Sequence, residues 1–225
     1  MSALTDEHIV RSWHGNADAW VTAVREGQIE SRRAVTDQAI VDAVLSQCPG
    51  SVLDVGCGEG WLARELAAHN IRVTGVDVVP GLVEAANRAG GGDFRVVAYE
   101  DLASVGLRVP VDAVVCNFSL LGKESVEAVF RAVPSLLANN GVFIVQTLHP
   151  ITACGDQPYE DGWREGSWAG FGNEFTDPAP WYFRTLESWE RLFTDNGFRL
   201  VEIREPVHPK SGVPASVIFA ARHDR

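Results

Sequence analysis

The chain has 225 residues, 46% of them hydrophobic, and a formal net charge of -11. This length suits one domain with a single core, and the acidic balance argues against a nucleic-acid partner, which would select a basic surface. No apolar run reaches membrane-spanning length, and residues 1–7 lack the basic segment of a secretory signal. The four cysteines are widely spaced without a Cys-x-x-Cys pair, so we expect free thiols and a cytoplasmic protein.

Residues 8–33 have a helical pattern and contain unusual side chains: Trp13, Asn16, Trp20 and Arg32. The simplest interpretation is an amphipathic helix that packs its two tryptophans on the core. Thr36 is then predicted to cap the first core helix, with Asp37 adding a favourable charge. That helix is expected to end before Pro49, with a buried stripe that reaches as far as Cys48.

A strand, a glycine turn and a helix follow one another in the next segment. Residues 52–55 are mostly apolar and β-branched, which predicts a short buried strand. The strand leads into Gly56-Cys57-Gly58-Glu59-Gly60, and residues 61–68 carry apolar side chains at helical spacing. This order is typical of the nucleotide-binding corner of an open α/β sheet, where glycines let a ligand approach the backbone.

The spacing of the glycines indicates which nucleotide fits. A dinucleotide-binding turn has the pattern Gly-x-Gly-x-x-Gly, and its last glycine lets the helix pack on the strand. Counted from Gly56, that place is taken by Trp61, whose indole would obstruct the packing. A P-loop would need Gly-Lys-Ser/Thr, which the sequence lacks.

Residues 52–60 resemble the first motif of class I S-adenosylmethionine (SAM)-dependent methyltransferases of the small-molecule type. The resemblance covers about residues 36–221 and implies SAM as methyl donor and S-adenosylhomocysteine (SAH) as product. It also implies an α/β fold: a seven-stranded, mostly parallel, Rossmann-like sheet with an antiparallel last strand and helices on both faces. The cofactor contacts that it implies in this motif come from Asp54, Gly56, Cys57 and Gly58.

Asp77 stands at the end of the second predicted strand, residues 71–76, and Pro80 opens the next helix. A carboxylate here can accept hydrogen bonds from both ribose hydroxyls of an adenosine, and Val78 is expected in the same contact. The alternative is an aspartate that only caps the next helix.

The third strand is predicted at residues 94–98. Methyltransferases of the family usually have an aspartate where Ala98 stands, and its side chain holds the adenine amino group. We therefore expect that contact from Glu100 or Asp101, with the Tyr99 backbone beside the ring.

The fourth strand, residues 111–118, ends in Asn117 and Phe118, which by resemblance lie at the cofactor, facing the methyl group. The absence of the Pro-Pro pair typical of amino-directed nucleic-acid methyltransferases argues against base methylation. Asn117 as a plain turn residue is the alternative.

A helix is predicted at residues 123–138, a turn at 139–141 and the fifth strand at 141–148. His149 follows this strand at the carboxyl edge of the sheet, where open α/β folds bind ligands. An imidazole titrates near neutrality and suits a catalytic base for a hydroxyl or amine. The alternative is a histidine that only bonds the loop backbone.

Residues 151–183 combine many aromatic residues with Gly and Pro, and long loops of this kind are usually functional. We expect a lid that binds an apolar or aromatic acceptor through Trp163, Trp168, Trp181 and Tyr182. A private cluster of aromatic side chains is the alternative, and the acidic side chains of the lid leave a cationic amine acceptor open. By resemblance, residues 1–35 cap the site, with Trp13 and Asn16 at the substrate, Trp20 at the cofactor and Arg32 at the methionine carboxylate.

The C-terminal part is predicted as a helix at residues 185–193 and two strands at 198–204 and 215–221. The connection between these strands is short and lacks a helix, so they should be antiparallel neighbours. We divide residues 1–225, a single domain, into a helical cap (1–35), a SAM-binding core (36–150), a lid (151–183) and a C-terminal helix with the last strands (184–225).

Two other functions are considered. An NAD-linked oxidoreductase is disfavoured by Trp61, and a SAM-binding sensor would bind the cofactor without turnover. We expect no metal site. The sequence leaves open the acceptor, the methylated atom and the oligomeric state.

Overall fold

The computed structural model describes residues 4–104, 106 and 110–224. The strands are β1 (Ser51–Val55), β2 (Arg72–Asp77), β3 (Asp93–Val96), β4 (Val111–Asn117), β5 (Leu137–Leu148), β6 (Gly162–Arg164), β7 (Trp181–Phe183), β8 (Phe198–Arg204) and β9 (Ser216–His223). The helices are α1 (Asp6–Arg25), α2 (Asp37–Leu45), α3 (Trp61–Ala68), α4 (Pro80–Ala89), α5 (Glu124–Leu136), α6 (Pro150–Cys154) and α7 (Leu186–Asp195). Among these helices, none has the length and apolar character that crossing a membrane requires.

Seven strands form the main sheet in the order β3-β2-β1-β4-β5-β9-β8, and β6 and β7 form a separate two-stranded sheet. The pairs from β3 to β5 are parallel, whereas β9 is antiparallel to both β5 and β8. This confirms the predicted sheet and its inserted last strand. The strand order reverses between β1 and β4, and open α/β sheets bind ligands at the carboxyl edge of such a reversal.

Helices cover both faces of the sheet. The layer formed with α5 and α7 is built on phenylalanines, and the rings of Phe130 and Phe143 lie 5.0 Å apart. The other layer packs α2, α3 and α4 on aliphatic side chains such as Ile40, Leu66 and Ile144. Since each of these side chains is fully buried, each contributes about 1.5–3 kcal/mol to folding. The sheet is therefore a rigid support for its carboxyl-edge loops.

Two helix boundaries differ from the prediction. The first helix is α1, which ends at Arg25 rather than at residue 33, and a separate π-helical turn, Arg32–Thr36, leads directly into α2. The cap predicted at Thr36 is wrong because the helical path is continuous there: Thr36 has φ -76° and ψ -31° and makes no side-chain cap bond. Cys48 is exposed rather than part of the buried stripe.

The turn predicted at residues 139–141 lies inside β5, because that strand already begins at Leu137. Val111 pairs with Leu137 but Ala113 pairs with Val142, so the register shifts between the two pairs. Asn140 takes a positive φ of 61° at this irregularity. The predicted turn residues therefore form an irregularity within the strand, where asparagine tolerates a positive φ better than most residues do.

The helix α1 holds the middle of the lid. The Asn16 amide donates to the Thr176 carbonyl at 2.8 Å and accepts from the Thr176 amide at 2.8 Å. Ser12 Oγ donates to the Asp177 carbonyl at 2.5 Å. Because Asn16 is only 1% exposed, its paired bonds fix the lid backbone on the cap.

The same helix holds the loop after β4. The Asp6 carboxylate accepts the Lys123 amide at 2.9 Å and the Ser125 amide at 2.6 Å. These amides belong to the start of α5, whose unpaired N–H groups favour a carboxylate partner. The cap helix thus connects two segments at the carboxyl edge of the sheet.

We predict that Asn16→Ala loosens the lid, because it leaves the Thr176 amide without its partner and the Thr176 carbonyl with the Trp168 indole N–H as its remaining donor. The loss should be about 1–3 kcal/mol, seen as a lower melting temperature and as faster proteolytic cleavage within residues 165–180. Gln38→Ala, which removes an exposed amide bonded only to Asp42, is the control and should change neither. Equal cleavage rates in the two variants would contradict this role of Asn16.

Candidate functional site

The glycine turn joins the ends of β1 and β2. The Gly56 and Cys57 amides both donate to the Val76 carbonyl, at 2.8 and 3.0 Å. The Gly58 amide donates to Asp77 Oδ2 at 2.9 Å, and Asp77 Oδ1 accepts the amide of Val79 at 2.9 Å. Asp77 therefore caps the start of α4, which was the alternative interpretation, and at the same time fixes the glycine turn.

Neighbouring protein atoms leave no room for a side chain at Gly56, the first glycine of the turn. A Cβ on Gly56 would stand 2.3 Å from Ser119 Cβ and 2.7 Å from Tyr99 Oη, and Gly56 has φ +73°. The Tyr99 hydroxyl donates to the Ser119 carbonyl at 2.9 Å, so the ends of β3 and β4 meet above this residue. At Gly58, by contrast, the nearest atom to an added Cβ is Trp20 Nε1 at 3.6 Å. A side-chain carbon therefore fits at Gly58, in contact with Trp20, but not at Gly56.

Two buried carboxylates lie next to the turn, since Asp54 is 2% and Asp77 8% exposed. Burial, with the Asp77 charge adding to it, raises the pKa of Asp54 to about 7. Burial also raises the pKa of Asp77, although the amides of Val79 and Gly58 act in the opposite direction. Negative charge held out of water in this way favours a cationic ligand.

The Cys57 side chain turns into the core: its Sγ is 2.9 Å from where a Cβ on Gly75 would stand. Burial raises the pKa of its thiol well above the ordinary value, so Cys57 is an inert packing group. Only its backbone remains for the predicted cofactor contact.

Glu59, whose side chain is completely buried, was not among the residues predicted from the sequence. It pairs with Arg25 Nε of α1 at 2.9 Å and with Arg64 Nη2 of α3 at 2.6 Å. Arg25 also donates to the Ala85 carbonyl at 3.1 Å. The only signal for this role was an acidic residue between two glycines. Glu59 ties the cap helix to the glycine turn.

The cap tryptophans lie over the turn. Trp13 and Trp20 pack, as Val78 does, against the small buried cluster of Ala17, Val79 and Leu82. The two indole rings meet edge to face at 5.0 Å. Trp13 also contacts the Trp168 ring at 5.8 Å. The structure thus brings Trp20 to the predicted cofactor side. Trp168 lies with Trp13 on the cap, in the aromatic cluster that was the alternative to a substrate wall.

Asn16 and Arg32 have protein partners. The Asn16 side-chain nitrogen donates to the Ser12 and Thr176 carbonyls and its oxygen accepts the Thr176 amide. Asn16 therefore holds the lid backbone, and its predicted contact with the substrate stays a prediction. Arg32 Nε donates to Asp37 at 2.8 Å, and its guanidinium stacks over Trp61 at 4.5 Å. Trp61 borders the glycine turn, so the Arg32 guanidinium lies near the predicted cofactor site. Its binding of the methionine carboxylate stays a prediction.

The segment predicted to contact adenine, residues 98–101, is more exposed than the glycine turn. The third strand ends at Val96 instead of Ala98, and Tyr99–Ser104 is a 3₁₀ helix. Glu100 is exposed at the start of this helix. An exposed carboxylate is free to turn toward a ligand, and its role stays a prediction.

The end of β4 carries two unusual features. Asn117 Oδ1 is buried and has no hydrogen-bond partner among the described residues. Phe118 takes φ +52° while its amide donates to the Gln146 carbonyl at 2.8 Å. A buried acceptor without a partner and a strained backbone are features of functional sites.

His149 is 2% exposed, and its Nε2 lies 2.8 Å from Glu205 Oε1. Its Nδ1 is buried without a partner among the described residues. The His149 ring therefore pairs with a carboxylate, whereas the alternative interpretation expected a bond to the loop backbone. The general-base role stays a prediction.

A small cavity of about 20 Å³, with room for about one water molecule, lies between the ends of β4 and β5 and the strand β7. Of the lid residues predicted to bind the acceptor, Trp181 and Tyr182 line this cavity, whereas Trp163 and Trp168 do not, and His149 is not part of the lining. The Trp163 ring packs against the Tyr182 ring, with the ring centres 5.6 Å apart. The remaining walls are apolar apart from Thr147 and Arg184: Leu120, Leu121, Leu148, Pro150, Ala153, Phe183 and Trp189.

Comparison with known proteins identifies relatives over much of the chain. The family described as Methyltransferase domain matches residues 30–203. A ubiquinone biosynthesis O-methyltransferase from Xanthomonas axonopodis pv. citri (strain 306) is 37% identical over 118 residues, which are 50% of this chain and 49% of that protein. One from Xylella fastidiosa (strain M23) is 37% identical over 107 residues, 45% of this chain and 43% of that protein. The chain therefore spans about half the length of the curated relatives that it matches or less.

Solved structures share the fold. Magnesium protoporphyrin IX methyltransferase from Synechocystis PCC 6803, with bound SAH, has a TM-score of 0.67 at 21% identity, over 97% of this chain and 100% of that one. A SAM-dependent methyltransferase from Mesorhizobium loti has a TM-score of 0.62 at 21% identity, over 82% and 96%. The sheet order, the glycine turn and the family match agree, and the chain belongs to the methyltransferase-domain family.

Proposed function

We propose that this protein transfers a methyl group from SAM to a small-molecule acceptor. The observation that carries the proposal is the Asp77 carboxylate, buried at the end of β2 and bonded to the amides of Gly58 and Val79. Each carboxylate oxygen can accept a second hydrogen bond, so Asp77 keeps the capacity to bind ribose hydroxyls. The family match over residues 30–203 supports methyl transfer as the reaction.

The residues around Asp77 fit a sulfonium cofactor. Asp54 and Asp77 place two carboxyl groups beside the glycine turn, and SAM is a cation at its sulfur. Trp20 lies over Gly58, where an apolar ring suits the cofactor. The unpartnered Asn117 Oδ1 is available as an acceptor at the end of β4. Together these groups favour a cationic nucleoside over a dinucleotide.

SAM, when bound, supplies a methyl group on a sulfonium, whose thioether is a good leaving group. The acceptor attacks the methyl carbon in line and displaces SAH. The protein has to hold donor and nucleophile in alignment, which is worth on the order of 7–11 kcal/mol. Asn117 and Phe118 stand where β4 opens toward the cavity, and the Phe118 strain of about 1–3 kcal/mol is maintained by its bond to Gln146. The cap and lid exclude water from the site.

The acceptor is proposed to be an apolar or aromatic small molecule, because Leu121, Trp181 and Tyr182 give the cavity an apolar lining. The net charge of -11 is unsuited to a nucleic-acid acceptor. The four cysteines are free thiols, which is consistent with a cytoplasmic location.

The reaction is tested by incubating the protein with SAM carrying a labelled methyl group and a panel of small aromatic acceptors. The proposal predicts label in an acceptor and SAH as the second product. Binding of SAM without transfer to any acceptor would favour the sensor function. Binding of NAD in preference to SAM would favour the oxidoreductase.

We predict that Asp77→Ala weakens SAM binding by about 10- to 100-fold, since charged hydrogen bonds are worth about 1.5–3 kcal/mol each. Calorimetry on the folded variant measures this. Asp93→Ala, which removes an exposed carboxylate paired with Arg95, is the control and should bind SAM normally. Unchanged SAM affinity in Asp77→Ala would refute the ribose contact.

We also predict that SAM affinity depends on pH through Asp54. Its raised pKa of about 7 means that the free protein holds this proton below pH 7 and loses it above. A cation binds the ionised form better, so SAM affinity should rise from pH 5.5 to pH 7 and then level off, by up to about tenfold per pH unit. In Asp54→Asn the rise should disappear. A rise of equal size in the variant would assign the titration to another group.

A further inference from the structure

Arg184 follows β7 directly, and its side chain is 6% exposed while lining the cavity. Its Nη1 donates to the Gly122 carbonyl at 2.9 Å, and its Nη2 donates to the Lys123 carbonyl at 3.1 Å. The guanidinium lies over the Tyr182 ring at 4.8 Å and the Trp189 ring at 5.2 Å. All of these partners are neutral.

Within the described parts of the chain, Arg184 forms no ion pair with a carboxylate. Asp161, Glu127 and Asp6 act on it only through longer-range attraction, and burial lowers the pKa of its guanidinium. A buried cation without a paired anion is unfavourable. The two arginines at the glycine turn differ in this respect, because both share Glu59.

The guanidinium retains donors for a ligand. It carries five N–H groups in a planar fork, and the two carbonyls engage one on each terminal nitrogen. A planar carboxylate matches such a fork with two parallel hydrogen bonds. Leu120, Leu121 and Trp181 provide the apolar wall of the same small cavity, which has to widen to admit a ring attached to that carboxylate.

We propose that Arg184 determines acceptor specificity by binding a carboxylate on an aromatic acceptor. This inference rests on the proposed function and names its substrate class. The anion compensates the charge of Arg184 and offsets the positive charge that the sulfonium brings to the site. Since Arg184 also holds the loop that follows β4, the acceptor's carboxylate is anchored beside the end of that strand.

The test is calorimetry with the SAH-saturated protein and matched probes: benzoate, phenylacetate and 3-phenylpropanoate, each against its primary amide. The wild type should bind at least one acid about 10- to 100-fold more tightly than its amide. In Arg184→Gln this ratio should fall to about one. Arg184→Lys keeps the charge but not the fork and should keep an intermediate ratio.

Arg164→Gln is the matched control, since Arg164 stacks on Phe183 at 4.9 Å outside the cavity lining, and it should keep the full ratio. A purely structural role of Arg184 would lower the melting temperature and leave the acid-to-amide ratio unchanged. No preference for any acid in the wild type, or an undiminished preference in both Arg184 variants, would overturn the proposal. Failure of SAH to bind the wild type would instead contradict the cofactor assignment.

Discussion

A buried carboxylate at the end of a strand organises the ligand edge of this protein. Asp77 accepts one amide from the glycine turn and one from the start of α4, so it joins β1, β2 and α4 at the point where the sheet reverses its order. Burial opposes its charge, as the raised pKa of Asp77 shows. The two amides compensate for part of this cost, and a ligand that donates further hydrogen bonds would compensate for more.

The cap helix gives this edge its closed form. It pairs with the glycine turn through Arg25 and Glu59, with the start of α5 through Asp6, and with the lid through Asn16. One helix therefore contacts the segments on both sides of the candidate cofactor site. A change in the position of α1 would therefore affect the glycine turn, the start of α5 and the lid together.

Local patterns in the sequence were enough to predict the strands and the glycine turn, and the family resemblance of residues 52–60 implied the seven-stranded, mostly parallel sheet. Gly58 and Asp77 were selected from their places on a strand or its turn, and Asp54 was selected from the resemblance. Contacts between distant segments were not predictable in this way. Asn16 meets a lid residue 160 positions later, and the partners that bury Arg184 lie on a loop 61 and 62 positions earlier. Neither residue carries a local signal of these contacts.

The most direct test of this account is a crystal structure of the protein with SAH. The ribose hydroxyls are expected within hydrogen-bond distance of the Asp77 carboxylate. The rest of the ligand should pass between Gly58 and Trp20, with its sulfur directed toward Asn117. SAH bound away from the glycine turn, or an Asp77 carboxylate that contacts only the protein amides in the complex, would contradict it.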